Sequence, residues 1–342
     1  MPYRSLLPAA ILILSALAGC ATPPSPAGQP PLRYVPYLHI VQGLDPATHR
    51  LRSVAGEQPP APLVQAGRNA LPGRPREVVW AFASGECGAE DWGPGIDATQ
   101  LVAANAPAFA QAGMRYRIST GGQAGVFTCA SEAGMQGFVQ RYASPALAGF
   151  DFDIEGSQTD QQLEGLVRTA AASARAHPEW QYSFTLATLA GSDVRGANVN
   201  ATGAKVVAAL QRHHFDTAVV NLMVMDFGPA SAASCVLRAS DGRCDMGRSG
   251  LQAALNLQRE FGVPLSRIAL TAMLGVNDVT ENVFTPEDAA LLLADARTHG
   301  LAGVYYWSLE RDAPCPGGAT EVSSKCHSLP GVPAGAFGKI GF

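Results

Sequence analysis

Eight short runs rich in β-branched and aromatic residues recur after residue 32, and amphipathic, Ala-rich segments separate them. The runs are Tyr34 to Ile40, Glu77 to Ala83, Met114 to Ser119, Ala148 to Glu155, Gln181 to Ala187, Ala218 to Asp226, Arg267 to Met273 and Gly303 to Ser308. Helical periodicity fits the intervals, for example Asp160 to Ala176, Ala201 to His213, Gly250 to Phe261 and Pro286 to His299. Strands that alternate with helices pair in parallel through crossover connections. Eight such units predict an α/β fold of the closed (β/α)8 TIM-barrel type, one domain over residues 33–342, rather than an open doubly wound sheet. No Gly-x-Gly-x-x-Gly follows the first run and no Walker-type loop occurs, so the usual nucleotide-binding motifs are missing. The 47% of hydrophobic residues supply a large core and exclude a disordered chain. With 24 Lys and Arg against 28 Asp and Glu, and no basic run, a nucleic-acid partner is not expected. Gly228 to Arg248, rich in Ser, Gly and Asp and carrying two cysteines, reads as a stapled surface loop.

The chemistry concentrates in Gly149-Phe150-Asp151-Phe152-Asp153-Ile154-Glu155-Gly156. Residues two apart on a strand share a face, so Asp151, Asp153 and Glu155 point one way and Phe150, Phe152 and Ile154 the other. The apolar set has to meet the helix layer, which leaves the acids facing the bore, with Glu155 nearest the C-terminal rim where barrel active sites open. Three carboxylates on neighbouring same-face positions cannot all stay ionised out of water, and at least one pKa has to rise. The pattern therefore reads as an acid/base site. A hydrated structural network and a set of oxygen ligands for a divalent ion at Asp151 and Asp153 are the other two readings it allows.

The N-terminus has the layout of an export signal over residues 1–19: Arg4, an apolar stretch from Leu6 to Leu17, and small residues at its end. Leu17-Ala18-Gly19-Cys20 resembles the lipobox of bacterial lipoproteins, which implies lipidation at Cys20; an ordinary signal peptide with an incidental Cys is the alternative. Residues 20–32, dense in Pro, read as an extended tether. A membrane partner held through the lipid anchor is then expected, on the bacterial cell envelope, and the small Ala21 after the Cys goes, in that class, with the outer membrane. Six cysteines remain beyond Cys20, an even number in an exported chain, so disulfides are expected. Cys235 with Cys244 and Cys315 with Cys326 each bracket a short polar loop, which favours local pairing and leaves Cys87 with Cys129. Structural zinc is the rival, against which no Cys-x-x-Cys or His-x-x-x-His spacing occurs.

The acidic segment resembles the Asp-x-x-Asp-x-Asp-x-Glu motif of the family 18 glycoside hydrolases, chitinases and their relatives, with Ala148 at the first Asp. Ser119-Thr120-Gly121-Gly122 is similar to that family's Ser-x-Gly-Gly, and Met223-Val224-Met225-Asp226 to its Met-x-Tyr-Asp. Trp307, in Tyr305-Tyr306-Trp307-Ser308, sits where these enzymes place an aromatic floor; a core aromatic is the alternative reading. Asn277-Asp278-Val279, Phe284-Thr285, and Cys87 with Trp92-Gly93 resemble one bacterial branch.

The resemblance implies retaining hydrolysis assisted by the substrate, in which the 2-acetamido oxygen of an N-acetylglucosamine (GlcNAc) unit takes the place of an enzyme nucleophile. Glu155 would protonate the glycosidic oxygen, Asp153 would orient the acetamido group, and Asp151 would sit deeper, sharing a proton with Asp153. Ser119, Gly122, Met223, Met225, Asp226, Tyr305 and Trp307 would form the substrate surface, with Asp226 or Asn221 taking the polar contact that Tyr makes where this chain has Met225. The partner implied is a GlcNAc-containing polysaccharide or oligosaccharide, cleaved by a monomer without metal or other cofactor. Two alternatives stay open: a carbohydrate-binding relative that has lost turnover, given no hydroxyl at Met225 or Phe227, and an endo-N-acetylglucosaminidase acting on glycans or peptidoglycan.

Overall fold

The computed structural model describes residues 1, 32–53, 60–193 and 198–341. Residues 2–31, which carry nearly all of the export segment, Cys20 and the tether up to Pro31, lie outside the described residues. Eight strands form the barrel: β1 (Tyr34–His39), β2 (Glu77–Ala83), β3 (Arg115–Gly121), β4 (Leu147–Ile154), β5 (Gln181–Ala187), β6 (Val219–Met223), β7 (Ile268–Met273) and β8 (Gly303–Trp307). Each is parallel to its neighbours, and β1 pairs with both β2 and β8, so the sheet closes. All eight expected strands are present. The sixth is shorter than its sequence suggests, because the chain leaves the sheet after Met223 and Asp226 takes a left-handed conformation, φ 51°.

Six long helices lie between the strands: α1 (Ala98–Gln111), α2 (Glu132–Tyr142), α3 (Asp160–Ala176), α4 (Ala201–Arg212), α5 (Met246–Phe261) and α6 (Pro286–His299). Each starts where a side chain accepts a first-turn N–H: Asp97, Ser131, Thr159, Asn200, Asp245 and Thr285, with a reciprocal capping box at Thr159/Gln162 and Thr285/Asp288. The Asp245 cap starts α5 four residues earlier than periodicity suggests. Two of the eight expected strand–helix units lack a long helix among the described residues. Between β1 and β2 there is a four-residue helix, Ile40–Gly43, and then two short antiparallel pairs. Pro59, Pro60, Pro62, Pro72 and Pro75 fall in that interval and prevent a continuous helix. After β8 come only short 3-10 turns at Leu309–Arg311 and Pro316–Gly318.

Strand parity sorts the core. Phe150, Phe152 and Ile154 join the apolar layer under the helices, as do Val220 and Leu222. Inside the bore, Val35, Tyr37, Val79, Ala81, Val219, Ala269 and Tyr305 make a second apolar cluster. The β3–β5 side of the bore is polar instead: Arg117, Ser119, Asp151, Ser183 and Thr185 are all buried there. Arg117 spans the lower end, bonded to Glu77 at 2.9 Å and to Gln181 at 2.8 Å.

The six cysteines form the three expected disulfides, Cys87–Cys129, Cys235–Cys244 and Cys315–Cys326. Cys87–Cys129 closes the longest segment, 42 residues, against 9 and 11 for the others. Loop-closure entropy then makes it the most stabilising of the three. Cys87→Ser with Cys129→Ser is expected to cost about 2–4 kcal/mol in denaturant unfolding, more than Cys235→Ser with Cys244→Ser does.

Candidate active site

Asp151 sits at the centre of the bore, wholly buried, with four hydroxyls on its carboxylate. Tyr37 and Ser119 donate to Oδ2 at 2.9 and 2.7 Å, and Ser183 and Thr185 donate to Oδ1 at 2.6 and 2.8 Å. Asn221 braces two of these donors: its Nδ2 donates to Thr185 Oγ1 at 2.9 Å and to the Tyr37 hydroxyl at 3.2 Å. Thr271 in turn donates to Asn221 Oδ1 at 3.0 Å. This network joins β1, β3, β4, β5, β6 and β7, and it leaves the Asp151 oxygens no free direction.

Asp153 lies one layer higher on the same face and is treated very differently. It is 5% exposed, and its Oδ1 is buried without a hydrogen-bond partner. Desolvation, then the negative charges of Glu155 and Asp151, push its pKa well above the ordinary carboxylate value. No direct hydrogen bond joins Asp151 to Asp153 among the described residues. Four hydroxyls from three other strands occupy Asp151, and Glu155 above and Asp151 below both act electrostatically on Asp153.

Glu155 is the first residue past β4, at the C-terminal rim. Its pKa is also raised, first by partial withdrawal from water and then by Asp226 and Asp278 across the mouth. Asp226 is held by an N–H bond from Val279 at 2.7 Å, and burial raises its pKa in spite of that bond.

These groups open into a cleft of about 580 Å³ lined by Asp153, Glu155, Asp226, Asp278, Met223, Met225, Met273 and Thr185, among others. Its aromatic side is Trp307 stacked on Phe82, ring centroids 5.3 Å apart and 24° between planes, with Tyr37 edge-on at 6.2 Å. Two glycines let the backbone approach this closely. A Cβ on Gly121 would come 2.1 Å from Asp153 O, and one on Gly122 would come 2.8 Å from the Phe82 ring.

Of the residues expected at the substrate surface, Met223, Met225, Asp226 and Trp307 line the cleft. Four others stand behind it, a correction to the sequence reading. Ser119 is spent on Asp151, and Asn221 on Tyr37, Thr185 and Thr271. Gly122 packs under Phe82. Tyr305 lies deeper in the bore, 6.1 Å from Tyr37, with the Arg117 guanidinium 5.8 Å from its ring centre. Sequence reading missed Tyr37, Phe82, Thr185, Thr271 and Met273, and gave Asp278 no role. The inward parity of their strands was the only signal for most of them.

The same barrel occurs in solved structures. The catalytic domain of a hyperthermophilic chitinase from Pyrococcus furiosus matches with a TM-score of 0.65 at 20% identity, over 91% of this chain and 95% of that one. The fold is that of a chitinase catalytic domain. A catalytic-site mutant of active domain 2 of the thermostable chitinase from that organism, complexed with chito-oligosaccharides, matches with a TM-score of 0.63 at 20% identity, over 92% and 96%. Among curated proteins, the chain is 28% identical over 236 residues to the probable bifunctional chitinase/lysozyme of Escherichia coli strain K12, covering 65% of this chain. It is 27% identical over 221 residues to endochitinase 11 of Metarhizium anisopliae, covering 60%. The matches span 26% and 42% of those two relatives' lengths. No family model matches the chain.

Proposed function

We propose that this chain is a chitinase-type glycoside hydrolase that cleaves β-1,4-linked GlcNAc polymers or oligomers by substrate-assisted retention. The observation that carries this reading is the pairing of a rim acid of raised pKa, Glu155, with a buried carboxyl whose Oδ1 has no partner, Asp153, beside a half-buried aromatic platform that lines the cleft. The printed names of both curated relatives, a chitinase/lysozyme and an endochitinase, support it.

In this mechanism Trp307 and Phe82 take the apolar face of a sugar ring. Glu155 gives its proton to the glycosidic oxygen as the C1–O bond breaks, and the acetamido carbonyl oxygen bonds to C1. Asp153 acts in its carboxylate form: it accepts the acetamido N–H, and its charge offsets the positive oxazolinium that forms. Glu155, now a carboxylate, takes a proton from the water that opens the ring at C1. Asp151 and its four hydroxyls fix the strand beneath Asp153 and so the height of the acceptor.

Export and lipid anchoring at Cys20 complete the reading, with residues 20–32 tethering the hydrolase to the bacterial envelope. The three disulfides suit an oxidising compartment. Proton NMR of chito-oligosaccharide hydrolysis tests the chemistry: the β-anomer is expected as the first hemiacetal formed, and an α-anomer formed first excludes the substrate-assisted route.

A further inference from the structure

The β6–β7 side of the cleft carries three thioethers. Met223 and Met273 end those two strands, Met225 follows just beyond, and all three line the cleft. Strand parity puts Met223 one layer above Asn221 and Met273 one layer above Thr271. The polar groups of that lower layer are already spent. Asn221 donates to Thr185 and Tyr37 and accepts from Thr271, while Tyr37 and Thr185 donate to Asp151. Between that floor and the Asp226 and Asp278 carboxylates at the rim, this wall offers a ligand sulfur and methylene, beside the unpartnered Asp153 Oδ1.

Thioether side chains are unbranched, turn about three bonds and yield to the shape beside them. A stiff pocket discriminates one added methylene by about 10–200-fold, because its walls do not move. Three methionines on one wall of the cleft lower that stiffness.

We infer that Met223, Met225 and Met273 form a compliant pocket for the alkyl end of the sugar's N-acyl group, so that this site also hydrolyses glycans bearing longer acyl chains, such as N-propionyl- and N-butyryl-glucosamine units. This inference rests on the substrate-assisted reading above. It adds no new chemistry. The acyl carbonyl oxygen still bonds to C1 as the glycosidic C1–O bond breaks, the Glu155 proton still goes to the departing oxygen, and Asp153 still accepts the amide N–H. Only the chain beyond the carbonyl carbon lengthens, on the side away from the reacting atoms.

The test uses the full chain and two fluorogenic aryl β-glycosides of chitobiose, one N-acetylated and one N-propionylated. Comparable turnover is expected, with kcat/KM for the N-propionyl substrate within about tenfold of the N-acetyl value. Hydrolysis of the N-acetyl substrate with a loss beyond about tenfold on the N-propionyl one overturns the inference and leaves the chitinase reading intact. Failure to hydrolyse either overturns the chitinase reading and this inference with it. The single variants Met223→Ile, Met225→Ile and Met273→Ile keep an apolar side chain but stiffen it at Cβ. At least one is expected to lower the N-propionyl to N-acetyl ratio by about tenfold. A ratio unchanged in all three overturns the assignment of the pocket.

Discussion

Glu155→Gln is expected to lower kcat/KM on chito-oligosaccharides by about 10²–10⁴-fold, the usual contribution of a positioned general acid. Gln keeps the length and hydrogen-bonding shape of the side chain and removes only the transferable proton, so oligosaccharide binding by calorimetry and the thermal unfolding midpoint should stay close to wild type. The same variant tests the pH dependence. Burial, then Asp226 and Asp278, raise the Glu155 pKa above its ordinary 4.5, so the protonated form persists to higher pH than a free glutamic acid allows. Activity falls as pH rises through that raised value, which places the alkaline limb of kcat/KM above 4.5. Removing one of the charges that raise it, in Asp278→Asn, should move the limb to lower pH. Equal activity of Glu155→Gln and wild type would remove Glu155 from the mechanism.

The acidic face of β4 was legible because alternation alone separates Asp151 and Asp153 from Phe150, Phe152 and Ile154, and burying the aromatics leaves the acids one place to go. The difference between the two aspartates was not legible. It depends on hydroxyls that reach Asp151 from residues 114 positions away at Tyr37 and 34 away at Thr185, brought together only when the sheet closes. Ser119 and Asn221 belong to the same story. The family resemblance marked them as important, but whether each polar group faces a ligand or a neighbour is decided by partners on other strands. That no long helix lies between β1 and β2 among the described residues follows from local sequence, since the prolines of that interval are visible. The run at Met225 and Asp226 misled for the opposite reason: it looks like strand, and contacts from distant residues, among them the Val279 N–H and the Asn277 side chain, hold Asp226 out of the sheet. The disulfides were readable because two of the three close loops too short to leave much choice.

Asp153→Asn is expected to separate activity from stability in opposite directions. In the resting site Asp153 is almost wholly buried and one of its oxygens has no partner, while two neighbouring carboxylates oppose its ionisation. Such a group contributes little to folding, and its value appears only when positive charge develops on the substrate. Replacing it with the isosteric amide should lower kcat by about 10²–10³-fold, the range seen when one preorganised electrostatic contact to a transition state is lost. The effect should fall on kcat more than on KM, because the acetamido N–H can still donate to the amide oxygen. Stability should rise, by about 1–2 kcal/mol, as is common when a strained functional group is neutralised. Its pH dependence fixes the sign. A carboxyl whose folded pKa exceeds its unfolded value of 3.8 binds more protons folded than unfolded, so above 3.8 wild-type stability declines with rising pH until the folded pKa is passed. The Asn variant has no such term, and its advantage in thermal unfolding should therefore widen as pH rises above 3.8. A variant less stable than wild type across that range would mean that Asp153 supports the barrel as Asp151 does, and would remove the basis for assigning it a role in the transition state.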